Sequence, residues 1–274
     1  MKEILLDEAK CIMLDILKYV DGVCKANSID YSIGEGTLIG AIRHQGFIPW
    51  DDDIDLLMDR NNFNKFLRVC SSNERYEIVY LKGGRRRYWN SVIRITDKRT
   101  SVIFDDDLHT PSYNHGLWVA IIPYDYVSDN EIEWNNDKKK LAFITRVCGH
   151  KRIKRKLRKQ SFKLRFKTKG QKLRGYFASM VPLAVLNKWF VKILSKYKDN
   201  PTSRVMKFEV DGTPLLFPSY LFEGGYIEKE FEGQLFKVMA HYHEYLTYYY
   251  GDYMQLPPEE DRVPKHNYKA YWKD

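Results

Sequence analysis

A chain of 274 residues that is 44% hydrophobic and 15% aromatic can bury a sizeable core, which excludes wholesale disorder and suits one elaborated domain. The net charge of +9 is unevenly laid down: residues 138–198 hold 21 Lys and Arg and no Asp or Glu, so the remainder stands at −12 once those 21 are taken from the total. Such a block points to an anionic partner, whether nucleic acid, a membrane surface or a phosphorylated polymer, rather than to a merely solvated face.

In chain order, Leu5, Ile12, Ile16, Leu17, Val20 and Cys24 recur near helical spacing and predict an amphipathic helix over residues 4–24. Tyr31–Gly34 reads as a short strand entering a glycine-flanked turn. Thr37–His44 reads as a helix, with Gly46 as its stop signal. A strand over Asp53–Met58 and a helix over Asn61–Cys70 follow. Runs of β character come next at Tyr76–Leu81, Ser91–Thr96, Ser101–Phe104 and Leu117–Ile122, with Pro123 ending the last. The basic block reads as helices over Lys138–Cys148 and Arg152–Phe166 and, after a break at Gly170, over Tyr176–Tyr197 with an interruption at Pro182. The Gly-, Pro- and aromatic-rich remainder yields one helix, near His241–Tyr250. These elements predict an α+β mixed-sheet core, residues 1–137 and 199–274, carrying a basic helical insertion over 138–198.

Cys11, Cys24, Cys70 and Cys148 show no C-x-x-C spacing, which argues against a zinc ribbon or disulfide framework and fits a reducing, cytoplasmic setting. The first 20 residues carry Glu3, Asp7, Glu8 and Asp15 within their apolar pattern, unlike a signal peptide. Tyr176–Leu186 is about half of the roughly 20 residues that a spanning helix needs. The expectation is therefore a soluble or peripheral protein. The helix over Tyr176–Leu194 mixes large apolar residues with Lys188 and Lys192 and stands open to two readings, an interfacial anchor or a helix packed on the core.

The informative stretch runs from Gly36 to Asp55 and contains Asp51, Asp52, Asp53 and Asp55. Carboxylates so crowded repel one another, and a cation would offset that cost. On a strand, Asp53 and Asp55 would share a face, and oxygen ligands without His or Cys select Mg²⁺ or Mn²⁺. Gly36 and Thr37 open a helix whose free N–H groups and dipole suit a phosphate. Together these features point to metal-assisted phosphoryl transfer. Arg43 and His44 either touch phosphate or acceptor, or fix the acidic loop by hydrogen bonds. Arg262 could fork onto a donor phosphate, and Trp50, next to the acidic loop, could face a quaternary ammonium.

The run Gly36-Thr37 through Arg43-His44 to Gly46-Phe47-Ile48-Pro49-Trp50-Asp51-Asp52-Asp53-Ile54-Asp55 resembles the LicD family of phosphocholine transferases, whose relatives include fukutin-type ribitol-phosphate transferases. The tail from Tyr250-Gly251-Asp252-Tyr253 to Pro257-Pro258, with Arg262 and His266, is similar to the family's C-terminal signature. The resemblance spans about residues 5–125 and 205–268 and implies a nucleotidyltransferase-like fold. It also implies a CDP-choline or other CDP-alcohol donor and a cell-surface glycan acceptor. If the Tyr176–Leu194 helix is an interfacial anchor, it would place the protein peripherally at the inner face of the plasma membrane, beside a lipid-linked acceptor. Asp53 and Asp55 match the family's metal pair. A third carboxylate is implied within Gly116–Asp125, where this chain has Ala120. Ala120 is therefore expected to be an inactivating replacement, engineered or natural, unless another residue supplies the missing oxygen. Asp125 suits that role poorly, being at an odd offset and beyond Pro123. Two other classes compete: a nucleotidyltransferase releasing pyrophosphate, and a catalytically dead binding protein. Nucleic acid is disfavoured as a partner because no RNA-binding signature is present.

Overall fold

Helix α1, Leu6–Ala26, buries Ile12, Met13, Ile16, Leu17, Val20 and Cys24 along one face. Asp7 and Glu8 sit in its first turn, where the helix dipole favours negative charge. The computed structural model describes residues 2–80, 92–104, 116–152, 168–208, 213–266 and 268–274. The helix expected over Arg152–Phe166 lies almost wholly outside the described residues.

The strands flanking α1 are β1 (Glu3–Ile4) and β2 (Ser32–Ile33); helix α2 (Glu35–Arg43), strand β3 (Asp55–Asp59) and helix α3 (Arg60–Val69) follow. Strands β4 (Tyr76–Val79), β5 (Ile93–Asp97), β6 (Thr100–Phe104) and β7 (Trp118–Tyr126) come next. The main sheet has the order β2-β3-β7-β5-β4, and β8 (Arg204–Phe208) and β9 (Pro214–Pro218) extend it from β7. Among the described residues, β3 and β7 alone pair in parallel, with Asp55 opposite Ala120; the other pairings in this sheet are antiparallel. The fold is thus α+β with a mixed sheet, as the sequence predicts.

Strand β7 runs straight through Pro123, contrary to the expected stop there. Among the described residues, its pairing with β5 reaches Ile121 and its pairing with β8 begins at Asp125, so Pro123 falls between them, where a missing N–H donor costs no ladder bond. Asp125 is buried and receives two hydrogen bonds from Arg60, at 2.7 and 2.6 Å. This pair ties the start of α3 to β7.

Beyond β7, helices α4 (Glu131–Arg152), α5 (Lys169–Met180) and α6 (Leu183–Leu194) form a second apolar cluster. Trp134, Leu141, Val147, Leu186, Phe190 and Leu194 pack there with Met206 of β8. Gly170 lies within α5 and does not break the helix, whereas the chain does break before Leu183, as Pro182 predicts. A hairpin of β10 (Tyr226–Phe231) and β11 (Gln234–Met239), helix α7 (Tyr242–Tyr250) and strand β12 (Tyr268–Trp272) complete the chain. β12 lies between β1 and β6 and carries the C-terminal segment back to the acidic loop.

Candidate active site

The site begins with the entry to α2. Glu35, its first residue, holds a left-handed backbone with φ 51°, uncommon outside glycine. Its buried carboxylate accepts hydrogen bonds from Lys207 Nζ at 2.7 Å, Tyr245 Oη at 3.0 Å and Tyr250 Oη at 3.1 Å, and these hold the turn. The Lys207 ammonium also lies over the rings of Tyr249 and Phe217. Two residues on, Thr37 Oγ1 accepts the backbone N–H of Asp55 at 3.0 Å, locking the start of α2 to the start of β3. At the other end of α2, a Cβ on Gly40 would stand 2.5 Å from the Gly46 carbonyl, so only glycine lets the following turn fold back. That turn is seated on the β10–β11 hairpin, where Glu232 accepts the Phe47 N–H at 2.9 Å.

The turn leads into the acidic run. Residues 51–54 are not strand; β3 begins at Asp55. The alternation expected to align Asp53 with Asp55 therefore does not govern Asp53. Asp52 turns inward and is nearly fully buried. It accepts the backbone N–H of His266 at 3.0 Å and, at 2.9 Å, the Nδ1–H of the same residue, while its carbonyl accepts from Tyr268 Oη at 2.7 Å. This leaves His266 Nε2 directed to Asp53 Oδ2 at 3.7 Å. Asp52, Asp53 and His266 thus offer donor atoms all within 4.8 Å of one another. Trp118 of β7 lies edge-on beneath His266, at 5.9 Å between ring centroids, with the Arg94 guanidinium over its face at 4.3 Å.

The electrostatics ask for a cation. Burial and repulsion from Asp53 and Asp52 push Asp51 up to about 7, and one of its oxygens is buried without a hydrogen-bond partner. Burial raises Asp53, against the pull of His266. Burial, followed by the charges of Asp53, Glu35 and Asp51, raises Asp55 well above the usual carboxylate range. His266 is raised by its hydrogen bond to Asp52 and then by the charge of Asp53. Two carboxylates and an imidazole, beside an orphaned carboxylate oxygen, make a donor set that could hold a divalent metal ion, and the imidazole removes the all-oxygen argument by which the sequence selected Mg²⁺ or Mn²⁺.

One sequence expectation is overturned here. Ala120 is buried on β7, opposite Asp55 and Arg94. The metal-capable cluster draws on Asp52, Asp53 and His266, so it assembles without a carboxylate at position 120. Reading Ala120 as the loss that inactivates the centre is therefore wrong; the third donor of the cluster is the His266 imidazole, a nitrogen where an oxygen was expected. Its partner role was invisible because 214 residues separate it from Asp52.

The remaining predicted residues scatter around this cluster. Gly36 lies against Asp51, whose Oδ2 would be 3.0 Å from an added Cβ. Arg43 donates from Nη1 to the carbonyls of Tyr253 and Gln255, which buttresses the C-terminal loop, and from Nε to His44 Nε2 at 3.0 Å. Trp50 is part-buried with the Arg262 guanidinium 5.8 Å from its ring centre, and Arg262 Nε donates to the Pro257 carbonyl. Glu35, Arg94 and Lys207 are site neighbours that sequence reasoning missed, since nothing local pointed to them. The acidic triplet included Asp52 without giving it a role of its own.

Among the described residues, no single helix is long and apolar enough to cross a membrane. Lys172–Ala178 and Leu183–Tyr197 reach that length and composition only as a pair, bent by 110°.

A family model described as LicD/FKTN/FKRP, nucleotidyltransferase domain, matches residues 28–110. The lipopolysaccharide cholinephosphotransferase LicD of Haemophilus influenzae is 36% identical over 289 residues, covering 99% of each chain. The ribitol 5-phosphate transferase FKRP of Homo sapiens is 49% identical over 39 residues, 14% of this chain and 8% of that protein. An acidic loop closed by a C-terminal histidine on a mixed sheet, together with full-length similarity to a bacterial phosphotransferase, shows that this chain belongs to the LicD/FKRP nucleotidyltransferase-domain family.

Proposed function

We propose that the protein is a divalent-metal-dependent phosphotransferase that uses a CDP-alcohol, with CDP-choline the first candidate, and a glycan hydroxyl as acceptor. The observation carrying this reading is the meeting of Asp52 and Asp53 with His266 at the mouth of the β3–β7 pair, in a chain alike throughout its length to a cholinephosphotransferase. In the reaction, a new bond forms between the acceptor oxygen and the phosphorus bearing the alcohol. The bond to the diphosphate's bridging oxygen breaks, CMP leaves with the bonding pair, and the acceptor hydroxyl's proton is released to solvent. A bound Mg²⁺ or Mn²⁺ would neutralise charge on the diphosphate.

The protein's own groups prepare the ground. Asp52 fixes the His266 ring so that Nε2 faces Asp53. Thr37 holds Asp55 by its backbone, and the start of α2 offers N–H groups to a phosphate. Arg94 supplies positive charge that acts on Asp53. The acceptor is proposed to be membrane-borne, with the protein peripheral on the cytoplasmic leaflet; the acid-free basic stretch supports this.

The test is calorimetric titration of CDP-choline with and without Mg²⁺, then CMP release with a glycan acceptor. Asp53→Asn and His266→Ala should each weaken metal-dependent donor binding by at least tenfold. Unchanged affinity in both variants would remove the metal assignment. Binding of CDP-ribitol or CDP-glycerol in place of CDP-choline would keep the chemistry and change the alcohol. Pyrophosphate release from CTP would instead indicate nucleotidyl transfer.

A further inference from the structure

Helix α5 is built inside out. Its small residue Ala178 is part-buried against the second apolar cluster, and Gly175 is buried. Its large apolar residues Leu173, Tyr176, Phe177 and Met180 fall at i, i+3, i+4 and i+7, the spacing of a single helical stripe, and are 59–69% exposed. A helix seated by its apolar face would show the reverse. Helix α6 adds to the same kind of surface: Leu186, Phe190 and Leu194 anchor it inside, while Trp189 and Val185 stand exposed. Exposed Lys172 and Arg174 flank the first stripe, and exposed Lys188 and Lys192 the second, in a stretch without any acidic residue.

We infer that the outer faces of α5 and α6 form a docking surface for an anionic lipid bilayer, the apolar stripe entering the headgroup boundary and the cations pairing with lipid phosphates. Charge complementarity selects this occupant. A second copy of the chain would bring Lys172, Arg174, Lys188 and Lys192 against their own likes. A soluble polyanion would satisfy the cations but leave Phe177, Met180 and Trp189 in water. The surface gives the proposed membrane placement specific residues, and none of them belongs to the acidic site.

The test is co-sedimentation of the full chain with phosphatidylcholine vesicles, with and without 30% phosphatidylglycerol at about that fraction of total lipid. Binding should require the anionic lipid, fall at least tenfold in Phe177→Ser/Met180→Ser and fall severalfold in Lys188→Gln/Lys192→Gln. Brominated lipid should quench the wild type more than Trp189→Phe, a readout that needs no stripe variant to fold. Absence of binding to anionic vesicles overturns the inference. So does binding indifferent to the serine substitutions, the mark of simple electrostatic adsorption. A self-association that Phe177→Ser dissolves would assign the face to a second copy and overturn it equally. Mg²⁺-dependent CDP-choline binding, measured on the same variants, should be unchanged; a wild type that binds lipid but no donor would refute the catalytic reading alone.

Discussion

At the scale of single residues, the site is a store of electrostatic repulsion relieved by one histidine. Asp51, Asp53 and Asp55 are raised, so between the ordinary carboxylate range and their folded values the native state holds more protons than the unfolded state. His266 is also raised, so its contribution is complete below about pH 6.5 and is lost as pH rises through its folded value. Both effects have the same sign: stability without metal should fall as pH climbs from about 5 to 8. A divalent cation should reverse the trend, raising Tm strongly near pH 8 and little near pH 5, because protons compete for the same donors. Scanning fluorimetry across pH with and without Mg²⁺ measures this, and a pH-independent Mg²⁺ effect would contradict it. Lys207 poses a second residue-scale question. Its pairing with Glu35 is buried, so Lys207→Met strands a carboxylate and should cost about 3–5 kcal/mol in denaturant unfolding.

At the scale of elements, Arg60 and Asp125 join α3 to β7 with both side chains only 2% exposed. Because the parallel β3–β7 pair carries the acidic loop at one end, this bond holds the scaffold from below. Arg60→Ala should lose about 3–5 kcal/mol. Adding Asp125→Ala should cost much less than a second such loss, since the stranded charge is then gone. Full additivity in the double-mutant cycle would show that the pair does not act as a unit. The elements themselves were legible where periodicity is strong. Helix α1, helix α3 and strands β4–β7 lie close to their expected places because Ile12, Ile16 and Val20, or Ile93 and Ile95, repeat at the proper spacing. Strands β8–β12 escaped notice: Pro214, Pro218, Gly224 and Gly225 read as breakers, although here they border strands. Pro123 misled for the same reason, since propensity cannot show which ladder positions are vacant.

At the scale of the whole molecule, two apolar clusters share strand β8: Val205 faces the main core and Met206 the helical one. Phe190→Ala should therefore cost about 3–5 kcal/mol. Its signature is an early loss of helical signal with the Mg²⁺-induced Tm shift of the core preserved. A single transition that also abolishes the shift would mean that the clusters unfold as one. The separation also explains how the surface of α5 and α6 can carry apolar exposure while the acidic site keeps its geometry.

The sequence by itself determined the family, the mixed α+β class, the acidic run and the uninterrupted basic block, because these reside in local order: a motif, a period, a charge count. Tertiary structure alone decided which carboxylates meet the histidine and which face of α5 looks outward. Asp52 and His266 become neighbours only when β12 pairs with β1 and β6, a contact that closes a loop of more than two hundred residues. Likewise the apolar residues of this helix stay open to an anchoring or a packed reading until the packing of Ala178 on the second cluster leaves Leu173, Tyr176, Phe177 and Met180 to solvent. Periodicity fixes that a helix has two unlike faces; only the neighbours it packs against fix which of them is buried.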